Sequence, residues 1–130
     1  MLISVIVPTL NEARNIHKTL CAIRQNYPLH AVEIIVVDGG SVDGTLRLIP
    51  PGVRVINSKN GRANQMNEGT SQAHGEILLF CHADTQLPAG WREEVIQQLG
   101  QARVSAGTFG VQFLPAKGVL HLINAMNYPP

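Results

Sequence analysis

A chain of 130 residues is long enough for one compact core and too short for two ordinary domains. Its composition, 45% hydrophobic and 15% charged without a biased or repeated tract, excludes a disordered chain or a solenoid. A net charge of +1 excludes the basic footprint of a nucleic-acid binder and the acidic balance of a solvating tail.

Residues 2–7 form a β-branched-rich run ended by Pro8, which predicts a buried strand. Ile16, Leu20 and Ile23 follow helical spacing, and Tyr27-Pro28 closes that helix. Residues 32–37 are a second apolar run, ended by Asp38-Gly39-Gly40. A short helix is expected over 43–48, then a brief strand over 53–56 after Pro50-Pro51-Gly52. Ser58-Lys59-Asn60-Gly61 opens a helix predicted to share Ala63, Met66, Thr70 and Ala73 on one face, with Gly75 as its stop. Residues 77–81 are the most apolar strand. Pro88 and Trp91 start another helix, with Val95 and Leu99 one and two turns on. Residues 104–113 read as extended, though Gly107 and Gly110 weaken the pattern. Val119, Leu122, Ile123 and Met126 make an amphipathic stripe that predicts a last helix over 117–127. That stripe needs a cover, and a second copy of the chain is one candidate, giving a homo-oligomer through the C-terminal helix.

Cys21 and Cys81 sit in apolar surroundings and read as buried thiols in a reducing cytosol rather than a disulfide. The N-terminus lacks the basic region and cleavage pattern of a signal peptide. Its apolar run stops at Pro8, far short of the ~20 residues that cross a bilayer. The expectation is a cytoplasmic chain without a transmembrane segment. The five histidines show no zinc-like spacing.

Apolar strands alternating with helices predict an α/β fold, a mostly parallel sheet with helices on both faces. Residues 1–130 are read as a single domain, with 1–113 as its core. Ligands of such sheets sit beyond the carboxyl ends of the strands. The three best strands end in Pro8-Thr9-Leu10-Asn11-Glu12, in Asp38-Gly39-Gly40-Ser41 and in Cys81-His82-Ala83-Asp84. Asp38 suits the donors of a base or ribose. Asp84 suits a diphosphate only with a divalent cation between them, because like charges repel. Arg62, at the start of its helix, and the helix N-terminus itself suit an anion.

Plainer roles stand beside these. Thr9-x-x-Glu12 is also a capping box. Asp43 suits the positive end of its short helix, and Asp38-Gly39-Gly40 is also an ordinary turn. Neither G-x-G-x-x-G nor G-x-x-x-x-G-K-[ST] occurs, which argues against a dinucleotide dehydrogenase and a P-loop ATPase. A nucleotidyltransferase would need a glycine-rich, lysine-bearing loop after the first strand, and none is there.

Four segments together carry a resemblance. They are Val5-Ile6-Val7-Pro8-Thr9-Leu10-Asn11-Glu12, residues 35–45 (IVVDGGSVDGT), Gly61-Arg62-Ala63-Asn64-Gln65-Met66-Asn67, and Leu79-Phe80-Cys81-His82-Ala83-Asp84-Thr85. In order and spacing they resemble the nucleotide-binding half of family 2 glycosyltransferases, and the third and fourth resemble a bacterial family-2-like subgroup. The resemblance implies a GT-A fold, here C-terminally truncated, and metal-assisted transfer of a sugar from a nucleotide diphosphate to an acceptor hydroxyl with inversion. It implies that Pro8, Thr9 and Glu12 line the nucleoside pocket, that Asp38 bonds the base, and that Arg62 approaches the base or diphosphate. Asp84 matches the last acid of the family's D-x-D, the metal ligand. His82 replaces the first acid. As a nitrogen ligand it would favour Mn²⁺ over Mg²⁺; alternatively it bonds a phosphate or ribose and leaves the metal to Asp84. No residue matches the family's general base, and Glu93 and Glu94 are not candidates for it. A non-catalytic donor-binding or self-associating module is the competing expectation.

Overall fold

The computed structural model describes residues 1–101, 103–110 and 122–124. They include six strands and three α-helices: β1 Ile3–Thr9, α1 Ile16–Arg24, β2 Val32–Asp38, β3 Arg54–Asn57, α2 Arg62–Ser71, β4 Ile77–Phe80, α3 Trp91–Leu99, β5 Thr108–Gly110 and β6 Leu122–Asn124. The chain divides into two compact units, Met1–Thr85 and Gln86–Pro130.

The first unit is a four-stranded parallel sheet in the order β3-β2-β1-β4. In β1 and β2 consecutive residues are buried, so both pleat faces are covered. The order explains how. The connection through α1 steps from β1 to β2, whereas the one through α2 returns across both to β4. Right-handed crossovers in opposite directions place their helices on opposite faces. Ile6, Ile35 and Val37 form the core of one face, with Ile56 and Ala73 packed against it. Each fully buried aliphatic side chain of this kind contributes about 1.5–3 kcal/mol. The reversal of winding falls between β1 and β4, and the crevice at such a switch point is where α/β sheets bind ligands.

Pro8 does not end β1; the strand continues through it to Thr9. Even-numbered residues of β1 bond towards β4, as the Cys81 N–H donating to the Ile6 carbonyl shows. The β4 pairing stops at Phe80, so proline forfeits no ladder bond at position 8. There β1 and β4 part company.

Other expectations shift. The short helix is a single 3₁₀ turn, Thr45–Leu48, with Asp43 outside it. On α2 the buried residues are Gln65 and Gly69, while Ala63 and Thr70 are exposed; of the predicted face, Ala73, just beyond the helix end, does pack against the sheet core. β4, expected as the most apolar strand, alternates half-buried and exposed residues, with Leu78 39% and Phe80 44% exposed. Cys21 is exposed on α1, against expectation, and Cys81 is buried; both are free.

In the second unit, α3 buries Trp91 and Val95, one turn apart as predicted. β5 and β6 pair antiparallel. Residues 122–124 were expected within a helix over 117–127 and are strand instead; a short apolar run satisfies either period, and pairing with β5 decides it. Val119 and Met126 of the proposed self-association stripe lie outside the described residues. No described helix is long and apolar enough to cross a membrane.

Candidate nucleotide-sugar site

All six residues expected to line a nucleotide site, with His82, fall in the first unit at or just beyond the carboxyl edge of the sheet. What each side chain does there differs.

Thr9 is buried, and its hydroxyl donates to the Val7 carbonyl at 3.0 Å. The Thr9 carbonyl accepts the Gly39 N–H at 2.9 Å. Thr9 is therefore scaffold. The capping box does not form: α1 starts at Ile16 with Asn15 as its N-cap, too far along for Thr9 to reach. The Glu12 carboxylate instead accepts the Asn15 amide at 3.3 Å, and the Glu12 N–H donates to Thr45 Oγ1 at 3.0 Å.

Asp38 is 3% exposed. Its Oδ2 accepts the N–H groups of Gly40 at 3.0 Å and Ser41 at 2.9 Å, and its Oδ1 accepts the Ser41 hydroxyl at 2.5 Å. The turn role and the site role thus coincide in one residue, which organises the loop after β2. Oδ1, with one partner, keeps acceptor capacity for another donor.

That loop is laced to the loop after β1. Asn11, held in the left-handed region at φ 52°, donates its N–H to the Ser41 hydroxyl oxygen at 2.9 Å and accepts the Val42 N–H on its Oδ1 at 2.8 Å. Asp43 accepts the Ala13 N–H at 3.1 Å, together with the Thr45 N–H and hydroxyl. The Thr45 hydroxyl bond, ahead of the backbone donors, lowers the Asp43 pKa. Asp43 is thus a loop fastener rather than a helix-dipole residue. Sequence reading missed this lacing, because each partner is an ordinary turn former and the pairs lie some thirty residues apart.

Beyond β4, Ala83 is buried and its carbonyl accepts the Thr19 hydroxyl of α1 at 2.6 Å. The Thr85 N–H closes a turn onto the His82 carbonyl at 3.1 Å. With Ala83 pinned, His82 and Asp84 on either side of it are exposed. Burial, and then the Asp84 charge, push the Cys81 thiol up to about 12, which keeps it a neutral thiol under the strand end. Arg62, the first residue of α2, is exposed and has no partner among the described residues.

No group of three or more His, Cys, Asp or Glu among the described residues is arranged to hold a metal. The donor set His82 and Asp84 fits a different kind of site, in which a cation takes one or two protein ligands and completes its shell with phosphate oxygens and water.

Residues 4–119 match the family described as Glycosyl transferase family 2. The chain belongs to that family. Among its relatives is the glycosyltransferase AglE of Haloferax volcanii, 31% identical over an alignment 125 residues long that covers 89% of this chain and 41% of AglE. The crystal structure of Staphylococcus aureus TarS 1–349 superposes with a TM-score of 0.74 at 25% identity, over 92% of this chain and 38% of that one. A mannosyltransferase, PcManGT from Pyrobaculum calidifontis, solved with GDP-Man and Mn²⁺, superposes with a TM-score of 0.65 at 32% identity. It is covered over 33% of its length by 78% of this chain. The family 2 chain therefore has the GT-A fold and spans about two fifths of the length of AglE and of TarS 1–349.

Proposed function

We propose that this family 2 chain is the donor-binding portion of a glycosyltransferase that moves a sugar from a nucleotide diphosphate to an acceptor hydroxyl with inversion. The observation that carries the reading is a contrast within one sheet edge. The loop carboxylates Asp38 and Asp43 are engaged in hydrogen bonds, while Asp84 and Arg62 stay exposed. An acid and a base kept exposed at a switch point suit a ligand that carries its own charge.

In this reading Pro8 and Glu12 line the nucleoside pocket, and Thr9 supports it from beneath. Asp38 shapes the turn and offers Oδ1 to a donor of the base. Arg62 and the N-terminal N–H groups of the ten-residue α2 meet the diphosphate. Asp84 holds a divalent cation against the same diphosphate, and His82 either adds a nitrogen ligand, favouring Mn²⁺, or bonds a phosphate oxygen. When bound, such a cation stabilises the charge that accumulates on the leaving diphosphate. The relative solved with GDP-Man and Mn²⁺ supports this assignment. Deprotonation of the acceptor is assigned to no residue of this chain. The two free thiols support a reducing, cytoplasmic setting.

Calorimetric titration of the chain with UDP- and GDP-sugars, with and without Mn²⁺, tests the proposal. Binding is expected for one base and to strengthen with Mn²⁺. Asp84→Ala should weaken it by about tenfold, or roughly 1.4 kcal/mol, without lowering the melting temperature. No binding by any donor, or an Asp84→Ala variant indistinguishable from the parent, would refute it.

A further inference from the structure

Gln65 lies in the third of the resembling segments but was assigned no role of its own. It is 4% exposed. Its side-chain Nε2 stands 2.9 Å from the Thr9 carbonyl oxygen and 2.9 Å from the Val37 carbonyl oxygen, donating one hydrogen to each. One amide thus spans the last rung between β1 and β2, at the point where the sheet gives way to the two laced loops. Its Oε1 has no hydrogen-bond partner among the described residues, an uncommon condition for a buried acceptor. Glutamine suits this place because its neutral amide nitrogen carries two N–H donors, one for each carbonyl.

Two glycines make room for it. A Cβ at position 69 would stand 2.5 Å from Ile6 Cγ2, so glycine lets α2 lie directly on the sheet. Gln65 is one turn earlier on the same helix face, which carries its amide to the strand ends. A Cβ at position 39 would stand 3.0 Å from Gln65 Nε2. The backbone at Gly39, next to Asp38, is therefore seated against this amide. Arg62 lies one further turn towards the N-terminus of α2.

We infer that Gln65 is a positioning residue of the donor site, fixing at once the gap between the β1 and β2 ends, the seat of the Asp38–Gly40 turn, and the point where α2 delivers Arg62. It acts through these groups and does not touch the ligand. The inference rests on the nucleotide-sugar reading above.

The test measures UDP and GDP affinity in Mn²⁺ for the full chain and its variants, alongside melting temperature. Gln65→Met keeps the volume and removes both donors, and should weaken binding about tenfold. Gln65→Glu places a carboxylate against two carbonyl oxygens; protonated, it regains one donor. Its deficit relative to the parent should shrink from about tenfold near pH 8 to about threefold near pH 5.5, whereas the Gln65→Met deficit should stay constant. Should Gln65→Met fail to fold, Gly39→Ala presses on the same amide from the other side and should also weaken binding at least about threefold. A parent that binds while the Gln65 variants bind within about twofold of it overturns the inference and leaves the functional reading intact, whatever happens to their melting temperatures. A parent that binds neither nucleotide overturns both.

Discussion

The two edges of the sheet treat charge in opposite ways. At the amino edge, Glu33 pairs with Arg54 and His74. Its carboxylate accepts the Ser4 hydroxyl at 2.5 Å, Arg54 at 2.7 Å, the His74 N–H at 2.9 Å and His74 Nδ1 at 2.8 Å. Arg54 also donates to the Gln72 carbonyl at 2.9 Å, so β1, β2, β3 and the connection from α2 to β4 meet in one closed network. At the carboxyl edge the hydrogen bonds run mostly to backbone N–H groups, and Arg62, His82 and Asp84 are left exposed. A closed network leaves nothing for a ligand, whereas exposed charge on a rigid rim invites one. The contrast separates a structural edge from the proposed binding edge without appeal to any motif.

The sharpest way to break the contrast is Asp38, which belongs to both kinds of chemistry. Asp38→Ala leaves the Gly40 and Ser41 N–H groups and the Ser41 hydroxyl without their acceptor. Hydrogen bonds to a charged acceptor are individually worth about 1.5–3 kcal/mol and are not additive, so a loss of about 3 kcal/mol is expected in urea unfolding. Nucleotide binding should fall with it. Lost binding at unchanged stability would mean that Asp38 serves the ligand alone, and the two edges would then differ even more than drawn here.

Glu33→Gln tests the other edge. It should cost about 2 kcal/mol at pH 7 and leave nucleotide affinity unchanged. Burial raises the Glu33 pKa, but the hydrogen bonds from His74, Ser4 and Arg54 outweigh it and hold the carboxyl at about 2. With the folded value below the ordinary glutamate value of 4.5 kept by the unfolded chain, the stabilisation is complete above the unfolded value. It is lost as pH falls through the window between them. The parent should therefore lose stability over that window more steeply than Glu33→Gln, as acid-unfolding curves read by circular dichroism would show. Parallel curves would refute the closed network.

How much of this could be read from the chain follows from the same physics. Strand ends were legible because buried parallel strands are near-continuous apolar runs, and the polar residue that stops each run marks the carboxyl edge. That located Pro8, Thr9, Asp38 and Asp84 at or just beyond the carboxyl edge. The contact face of α2 was not legible, since Gln65 and Gly69 are polar or featureless to a hydrophobic pattern, and the apolar residues chosen in their place are partly exposed. A glycine in mid-helix, four residues after a glutamine, was the available signal. The capping box failed because local spacing does not reveal a loop pinned by Asp43 and Thr45 from thirty residues away. Family resemblance supplied what spacing lacked, namely the chemistry expected at the edge.

Arg62 carries the smallest expected effect and the finest distinction. It is exposed on the first turn of α2, so its attraction to a diphosphate is screened by water and salt, unlike the buried bonds of Gln65 on the same helix. Arg62→Ala should weaken nucleotide binding about fivefold at low salt, close to 1 kcal/mol, and by clearly less at about 0.5 M salt, where the Debye length falls well under 10 Å. Urea stability should move by no more than about 0.5 kcal/mol, as for other surface changes. A salt-independent loss would instead assign Arg62 a direct, desolvated bond to the ligand and make it part of a closed network like that of Glu33. In that case the carboxyl edge would become closed only when the ligand arrives.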